Sequence, residues 1–526
     1  MQALLGVIGY ADWILHALIW LPLIGMGLVL AVPKARAKEL AFGWSAAVFA
    51  LSIGLWWAYD PGVAGLQMES SVPWIPGWGV SYTLGLDGIS LFMVLLTTFT
   101  TPIAILASFN YISKRERAFY ALMLLLETGS LGVFLSMDLF LFYVFFELTL
   151  VPMYFIVGVW GGEHRIYAAV KFFLYTAFGS LLMLVAILYL YFRGRGLLGA
   201  GTFAYGDLLE VTLTLREQLW LFAAFALAFS IKVPVFPFHT WLPDAHVEAP
   251  TPGSVVLAAV LLKMGTYGFV RFLLPLFPGA AQHPTVVMLM LVLGLAGILY
   301  AAVVAAVQPD AKKLVAYTSV AHMGFVVIGI FALTINGLQG SMLVMISHGV
   351  STGALFILLG MLYERRHTRL IEDFGGLATV APWLATVFVI TALASVGLPG
   401  TSGFVGEFLA LLGTFETHPW IAGLATLGVI FAAYYMLPMV QRVFFNGLTT
   451  EENRGIPDLS RREIAILAPM VALMIWIGVQ PAPFLRRMEP SVQAVLERVA
   501  ANPAGVTVLV EDGVGSSAVA VPARAD

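Results

Sequence analysis

A few titratable side chains sit inside long apolar runs of this chain, and each needs a reason to be there. Glu147 lies in Tyr143-Val144-Phe145-Phe146-Glu147-Leu148-Thr149 with no adjacent charge. Lys232 lies in Phe229-Ser230-Ile231-Lys232-Val233-Pro234, and Lys263 in Val260-Leu261-Leu262-Lys263-Met264-Gly265. A buried lysine can release its proton at working pH, which an arginine cannot. Glu147 and Lys232 are natural partners, either as a static ion pair or as a proton-handling one. Lys263 has no short route to an interface, whereas Lys171 lies about a turn and a half into its run and can snorkel out. His322 and His348 are accompanied by Thr318, Ser319, Ser347, Ser351 and Thr352, hydroxyls suited to holding water beside an imidazole. His239 follows a proline-rich break, and Glu407 follows a second break by about one turn. Glu127 has no evident partner. Asp138, Asp244 and Glu248 fall at the ends of runs and read as capping or solvated groups. Carboxylates, amines and imidazoles in such runs are candidate proton carriers, with static pairing, packing and capping as the structural alternatives.

Other chemistries find little footing. The chain has no cysteine, which excludes disulfides, thiolate metal sites, cysteine-bound iron–sulfur clusters and thioether-linked haem. Gly194-Arg195-Gly196-Leu197-Leu198-Gly199 matches the dinucleotide fingerprint, but no strand precedes it, so it reads as a flexible loop. The balance of 27 basic and 30 acidic residues gives no hint of nucleic-acid binding.

The elements that position these residues are membrane spans. Of 526 residues 60% are hydrophobic and 11% charged, against ~25% charged in a soluble domain, and mean hydropathy is +0.92. Windows of ~20 apolar residues predict about fourteen spans: 13–32, 38–58, 86–109, 117–136, 138–160, 166–192, 217–241, 253–276, 285–307, 312–334, 337–363, 379–415, 419–445 and 463–480. The start lacks a basic signal-peptide region, so the first run is expected to be a retained span. Two spans are interrupted, the seventh by Pro234 and Pro237 and the twelfth by Gly397-Leu398-Pro399-Gly400. Irregular backbone at that depth must be satisfied by protein or by a watery cavity. If spans four to eight and nine to thirteen form two units, each has its broken helix in fourth place. Five spans per unit force the second to insert upside down, the arrangement of many transporters. The expected organisation is three N-terminal spans (1–115), a first unit (116–276), a second (284–446), and a last span with a tail (447–526). Sixteen basic residues fall in one set of loops, Lys34, Lys114, Arg115, Arg165, Lys312 and Arg365 among them. Arg193, Arg195, Arg216 and Arg271 fall in the other set. This bias predicts both termini outside the cytoplasm.

At these motifs the chain resembles a known family. Phe146-Glu147-Leu148-Thr149-Leu150-Val151-Pro152, Lys232-Val233-Pro234 through His239-Thr240-Trp241-Leu242-Pro243-Asp244-Ala245-His246, Leu262-Lys263-Met264-Gly265 and Ser319-Val320-Ala321-His322-Met323-Gly324 are similar to signatures of the antiporter-like subunits of NADH:quinone oxidoreductase, respiratory complex I. The likeness runs over roughly residues 80–480. Glutamate at position 407, where most such chains carry lysine, resembles the M-type branch, the bacterial counterpart of mitochondrial subunit 4. The lack of a long lateral helix after the last span points away from the L-type branch. The resemblance implies an all-α fold of fourteen membrane helices with two inverted five-helix repeats, in the bacterial inner membrane. It implies proton translocation through Glu147, Lys232, Lys263, His322, His348 and Glu407, with Glu127, His239 and Lys171 as further candidates. It implies no cofactor on this chain, with NADH, FMN, iron–sulfur clusters and quinone held by partner subunits, and neighbouring antiporter-like subunits and the lipid bilayer as partners. The same family includes subunits of sodium/proton antiporters. Sodium would want several oxygen ligands where lysine and histidine stand. A membrane scaffold with static charge pairs and a quinone-binding enzyme are the readings from other classes.

Overall fold

The computed structural model describes residues 2–448 and 450–501. Twelve of its helices are long and apolar enough to cross a membrane. They are α1 (Tyr10–Ala31), α2 (Lys34–Ala58), α3 (Gly88–Ala107), α4 (Glu116–Leu135), α5 (Leu139–Trp160) and α6 (Arg165–Leu198). After an interrupted span come α9 (Thr251–Leu276), α10 (Pro284–Ala306), α11 (Ala311–Phe331) and α12 (Ile335–Arg366). After a second come α15 (Pro419–Phe445) and α16 (Arg461–Val479). The interrupted spans are α7 (Leu215–Lys232) with α8 (Trp241–Glu248), and α13 (Pro382–Val396) with α14 (Ser402–Thr417). They complete the predicted fourteen.

The two five-span units show the same internal order. The third helix of each is the longest, 34 residues in α6 and 32 in α12. The fourth is broken, and the fifth contains π-helical turns, at Leu257–Leu261 and Phe269–Leu273 in α9 and at Gln441–Phe445 in α15. An odd number of spans per unit sets the second upside down relative to the first.

Packing sorts the helices by depth. Every residue of α9 is buried, and nearly all of α11 and α12. By contrast α6, α10 and α15 show apolar side chains such as Phe178, Leu289 and Ile430 on the outside. Exposed apolar faces on helices of this length are what a lipid-facing ring presents.

Four details differ from the sequence expectations. Residues Gln67–Ile75 and Val80–Leu86 pair as an antiparallel hairpin, β1–β2, where a loop was expected. The Gly194-Arg195-Gly196 stretch is no flexible loop. It belongs to α6, which passes through Gly194 and Gly196 without positive φ, runs to Leu198 and ends at Gly199 in the left-handed region. Arg271 does not belong with the outer loops: it is buried in the second π turn of α9 and ion-paired to Asp87, the N-cap of α3. The tail after α16 continues as an amphipathic helix, α17 (Ala482–Ala501). The disorder expected beyond about residue 500 falls outside the described residues.

Candidate functional site

The break after α7 ends the helix on Lys232 itself. Its freed backbone groups are met locally: Trp241 Nε1 donates to the Ile231 carbonyl at 2.8 Å, and Val235 N to Ser230 O at 2.7 Å. Lys232 is 1% exposed. Its ammonium lies 3.4 Å from Thr149 Oγ1 and 4.9 Å from the centre of the Phe146 ring, a cation–π distance. Glu147 stands between those two residues on α5, within electrostatic reach of Lys232 and beside Ser180 of α6. One of its carboxyl oxygens is buried without a partner. The expected pair is therefore close but separated, with no ion pair between Glu147 and Lys232 among the described residues.

A second group is continuous. Lys263 lies between the two π turns of α9 and is fully buried. Its Nζ is 2.7 Å from His348 Nδ1 on α12 and donates to the Ala258 carbonyl in the first π turn. The His348 ring meets the His322 ring of α11 edge-on, with centroids 5.7 Å apart. His322 Nδ1 is 2.6 Å from Glu407 Oε1, and its Nε2 is 3.4 Å from Ser395 Oγ. Between the rings lies a small cavity lined by Ser347, Ser351, Ser395 and Gly403 together with both histidines and Glu407. It leaves about 10 Å³ for water centres, the room one water needs. His348 Nε2 has no protein partner among the described residues, so an acceptor or donor in that cavity would complete it.

The break between α13 and α14 shapes this end. Gly397 turns the chain at φ +84°, and a Cβ there would lie 3.1 Å from Glu407 Oε2. Ser402 Oγ, on the first residue of α14, lies 2.7 Å from Ser347 Oγ. The break thus brings Glu407 and a serine pair against α11 and α12.

The remaining candidates lie apart. Lys171 pairs with Asp244 of α8 at 2.7 Å, in place of the free snorkelling route. His239 is 2% exposed, stacks on Phe236 and touches Tyr300, with Nδ1 unpartnered. Glu127 is 2% exposed, and neither of its carboxyl oxygens has a partner among the described residues. Asp138 caps α5, accepting from Phe140 N and Leu141 N, and Glu248 accepts from His164 N.

Two residues escaped the sequence reading. His246, on α8, is fully buried and stacked on Phe356 at 4.4 Å, and neither ring nitrogen has a partner among the described residues. It lies within electrostatic reach of both Lys263 and Lys312. Lys312 was assigned to a loop. It reaches back to donate to the carbonyls of Ala249 (2.6 Å) and Val247 (3.4 Å) at the C-terminal end of α8, where a cation is favoured by the helix dipole. The available signal was the isolated histidine in Leu242-Pro243-Asp244-Ala245-His246-Val247, one turn past a broken span.

Comparison with known proteins agrees with this architecture. Residues 136–432 match the family described as NADH:quinone oxidoreductase/Mrp antiporter, TM. Residues 66–137 match the amino terminus of NADH-ubiquinone oxidoreductase chain 4. The chain is 45% identical over 515 residues to NADH-quinone oxidoreductase subunit M of Rhodobacter capsulatus, covering 95% of this chain and 98% of that one. It is 43% identical over 487 residues to NADH-ubiquinone oxidoreductase chain 4 of Marchantia polymorpha, covering 92% and 97%. Among solved structures, a chain of respiratory complex I from Thermus thermophilus with bound NADH superposes with a TM-score of 0.85 at 37% identity, covering 92% of this chain and 99% of that one. The Mrp complex from Dietzia sp. DQ12-45-1b shares the fold, with a TM-score of 0.77 at 23% identity over 92% of this chain and 52% of that one. By coverage and identity, the chain belongs to the NADH:quinone oxidoreductase/Mrp antiporter membrane family, in its NADH-quinone oxidoreductase subunit M (chain 4) branch.

Proposed function

We propose that the chain is a proton-translocating membrane-arm subunit of NADH:quinone oxidoreductase, moving protons along Lys263, His348, His322 and Glu407. The observation that carries this reading is the contact series from Lys263 Nζ to Glu407 Oε1, interrupted only by a cavity of one-water size. Lys263 hands a proton to His348 Nδ1, and the imidazole releases one from Nε2 to water in the cavity. That water protonates His322 at Nε2, and His322 Nδ1 passes a proton to the Glu407 carboxylate. Each imidazole carries the charge by taking a proton on one nitrogen and losing one from the other.

Control comes from the other cluster. Glu147 and Lys232 sit near but not on each other, so a small displacement of Glu147 changes the field at the ammonium without breaking a tight ion pair. A unit charge brought to 4 Å at an effective dielectric of ~20 is worth about 4 kcal/mol. Moving a charge against 100 mV costs about 2.3 kcal/mol, so the switch is large enough. Protons enter through a cavity lined by Val247, Glu248, Lys312 and Arg369, with about 50 Å³ open to water centres, and pass from there to His246, the residue before Val247 on α8. His246 then supplies Lys263.

The donor set also bears on the cargo. Two imidazoles and a lysine suit protons, whereas sodium prefers oxygen ligands. NADH, FMN, the iron–sulfur clusters and quinone are assigned to partner subunits, and the neighbouring membrane subunits supply the charge displacement that moves Glu147. We place the chain in the bacterial inner membrane with both termini on the periplasmic side, and divide it into the four stretches 1–115, 116–276, 284–446 and 447–526.

The test is protons pumped per electron in membranes carrying Lys263→Ala or Lys232→Ala, with assembly and NADH oxidation followed in parallel. Both variants should assemble and lose pumping. Unchanged pumping from an assembled Lys263→Ala complex would remove the route.

A further inference from the structure

A polar cavity of about 550 Å³ opens at the basic end of the bundle; it shares Tyr111 with the cavity proposed for proton uptake, but none of Lys263, His348, His322 and Glu407 lines it. Its walls are the segment before α4, the end of α5 and the start of α6, and three cations line it: Lys114, Arg115 and Arg165. None of the three forms an ion pair among the described residues. Of the neighbouring acids, Glu116 pairs with Lys34, Glu248 accepts from the His164 backbone, and Glu163 is exposed with no ion pair to any of the three cations among the described residues. The walls are tied together, because Trp160 Nε1 donates to the Lys114 carbonyl at 2.7 Å. Arg165 Nη1 donates to the Gly162 carbonyl at 3.1 Å, and the rest of its guanidinium has donors to spare.

An apolar track leads away from the same cavity. Val159 and Ile166 belong to its lining. Val151 and Phe155 precede Val159 at four-residue spacing on α5. Val170 and Leu174 follow Ile166 at the same spacing on α6, so each series shares a helix face. Val151, Phe155, Ile166, Val170 and Leu174 are all exposed. A basic, polar chamber above two parallel apolar strips matches a phosphate headgroup above acyl chains, and basic pockets between membrane helices take such headgroups.

We propose that this cavity is a binding site for an anionic phospholipid, its phosphate held by Lys114, Arg115 and Arg165 and its chains laid along α5 and α6. The inference rests on the membrane placement proposed above and not on the proton route, so lipid binding and pumping can fail separately. In the purified whole complex, a photoreactive phosphatidylglycerol should label residues 111–115 or 158–166. Unlabelled phosphatidylglycerol should compete, and phosphatidylcholine or inorganic phosphate should not. The triple variant Lys114→Ala, Arg115→Ala, Arg165→Ala should bind phosphatidylglycerol roughly a hundredfold more weakly, at about fivefold per charge. The charge-conserving triple Lys114→Arg, Arg115→Lys, Arg165→Lys should keep most of the affinity. Labelling confined to other segments, or equal competition by phosphatidylcholine, overturns the proposal. Competition by inorganic phosphate alone would make the cavity a site for free phosphate and overturn it equally. The labelling arm uses the unmodified chain, so it decides the matter even if the triple variants do not assemble.

Discussion

His246 has two ring nitrogens, no partner for either among the described residues, and no exposure. Leaving a buried polar group unsatisfied costs ~1–3 kcal/mol, so packing alone gives no reason for a histidine where it stacks on Phe356. A phenylalanine would keep the stacking and remove the cost. If His246 supplies Lys263, His246→Phe should leave the complex assembled and as stable as before, or more so, while protons pumped per electron fall. A stable variant with unchanged pumping would make His246 a packing residue and close the proposed uptake route. The same reasoning explains which residues were legible. Lys232, Lys263, His322, His348 and Glu407 stand out because each is a lone titratable group in a long apolar run. Lys312 stands next to Lys313 at the start of its run and reads as one more loop charge. Only the fold shows its ammonium turned inward onto the end of α8.

At the scale of elements, the broken span between α13 and α14 sets where Glu407 points. Gly397 and Gly400 both hold positive φ, +84° and +90°, and differ in what lies nearby. A Cβ on Gly397 would lie 3.1 Å from Glu407 Oε2, whereas nothing lies within 4 Å of one on Gly400. Alanine at either position strains the backbone by about 1–2 kcal/mol. Thermal unfolding of the complex should therefore register Gly397→Ala and Gly400→Ala alike, and only Gly397→Ala should depress pumping. Equal loss from both would mean that the break matters as a hinge and not as a guard of the carboxylate's position. Both breaks could be read beforehand because proline and glycine interrupt otherwise continuous apolar runs. The β1–β2 hairpin was not, since Gln67–Ile75 mixes polar and apolar residues without clean alternation and contains Pro73. The helix α17 was missed for a different reason: two arginines, two glutamates and Pro490 within Arg486–Glu497 obscure a face that packs Phe484, Met488 and Val492 inward.

For the whole molecule, the order of long, broken and π-turned helices in each unit shows the repeat more directly than residue identity does. Five spans per unit then place the breaks of the two units in opposite senses across the bilayer. Which side each faces rests on the loop charges. With Arg271 removed from the outer set because it is buried against Asp87, and Lys312 from the inner set because it turns onto the end of α8, the bias strengthens: fifteen basic residues remain on one side and Arg193, Arg195 and Arg216 on the other. Positive residues collect on the cytoplasmic side, so the loop carrying Glu163 should face the cytoplasm and the segment carrying Val63 the periplasm. The absence of cysteine from this chain makes the check direct, since an introduced cysteine is its sole thiol. Val63 is exposed beyond α2, and Glu163 is exposed between α5 and α6. In intact cells a membrane-impermeant maleimide should modify Val63→Cys and spare Glu163→Cys, with Glu163→Cys reacting once the membrane is opened. The reverse pattern would turn the chain over. The contacts from Lys263 to Glu407 would stand, but Lys312 and its cavity would then face the periplasm, and the proposed uptake site would become a release site.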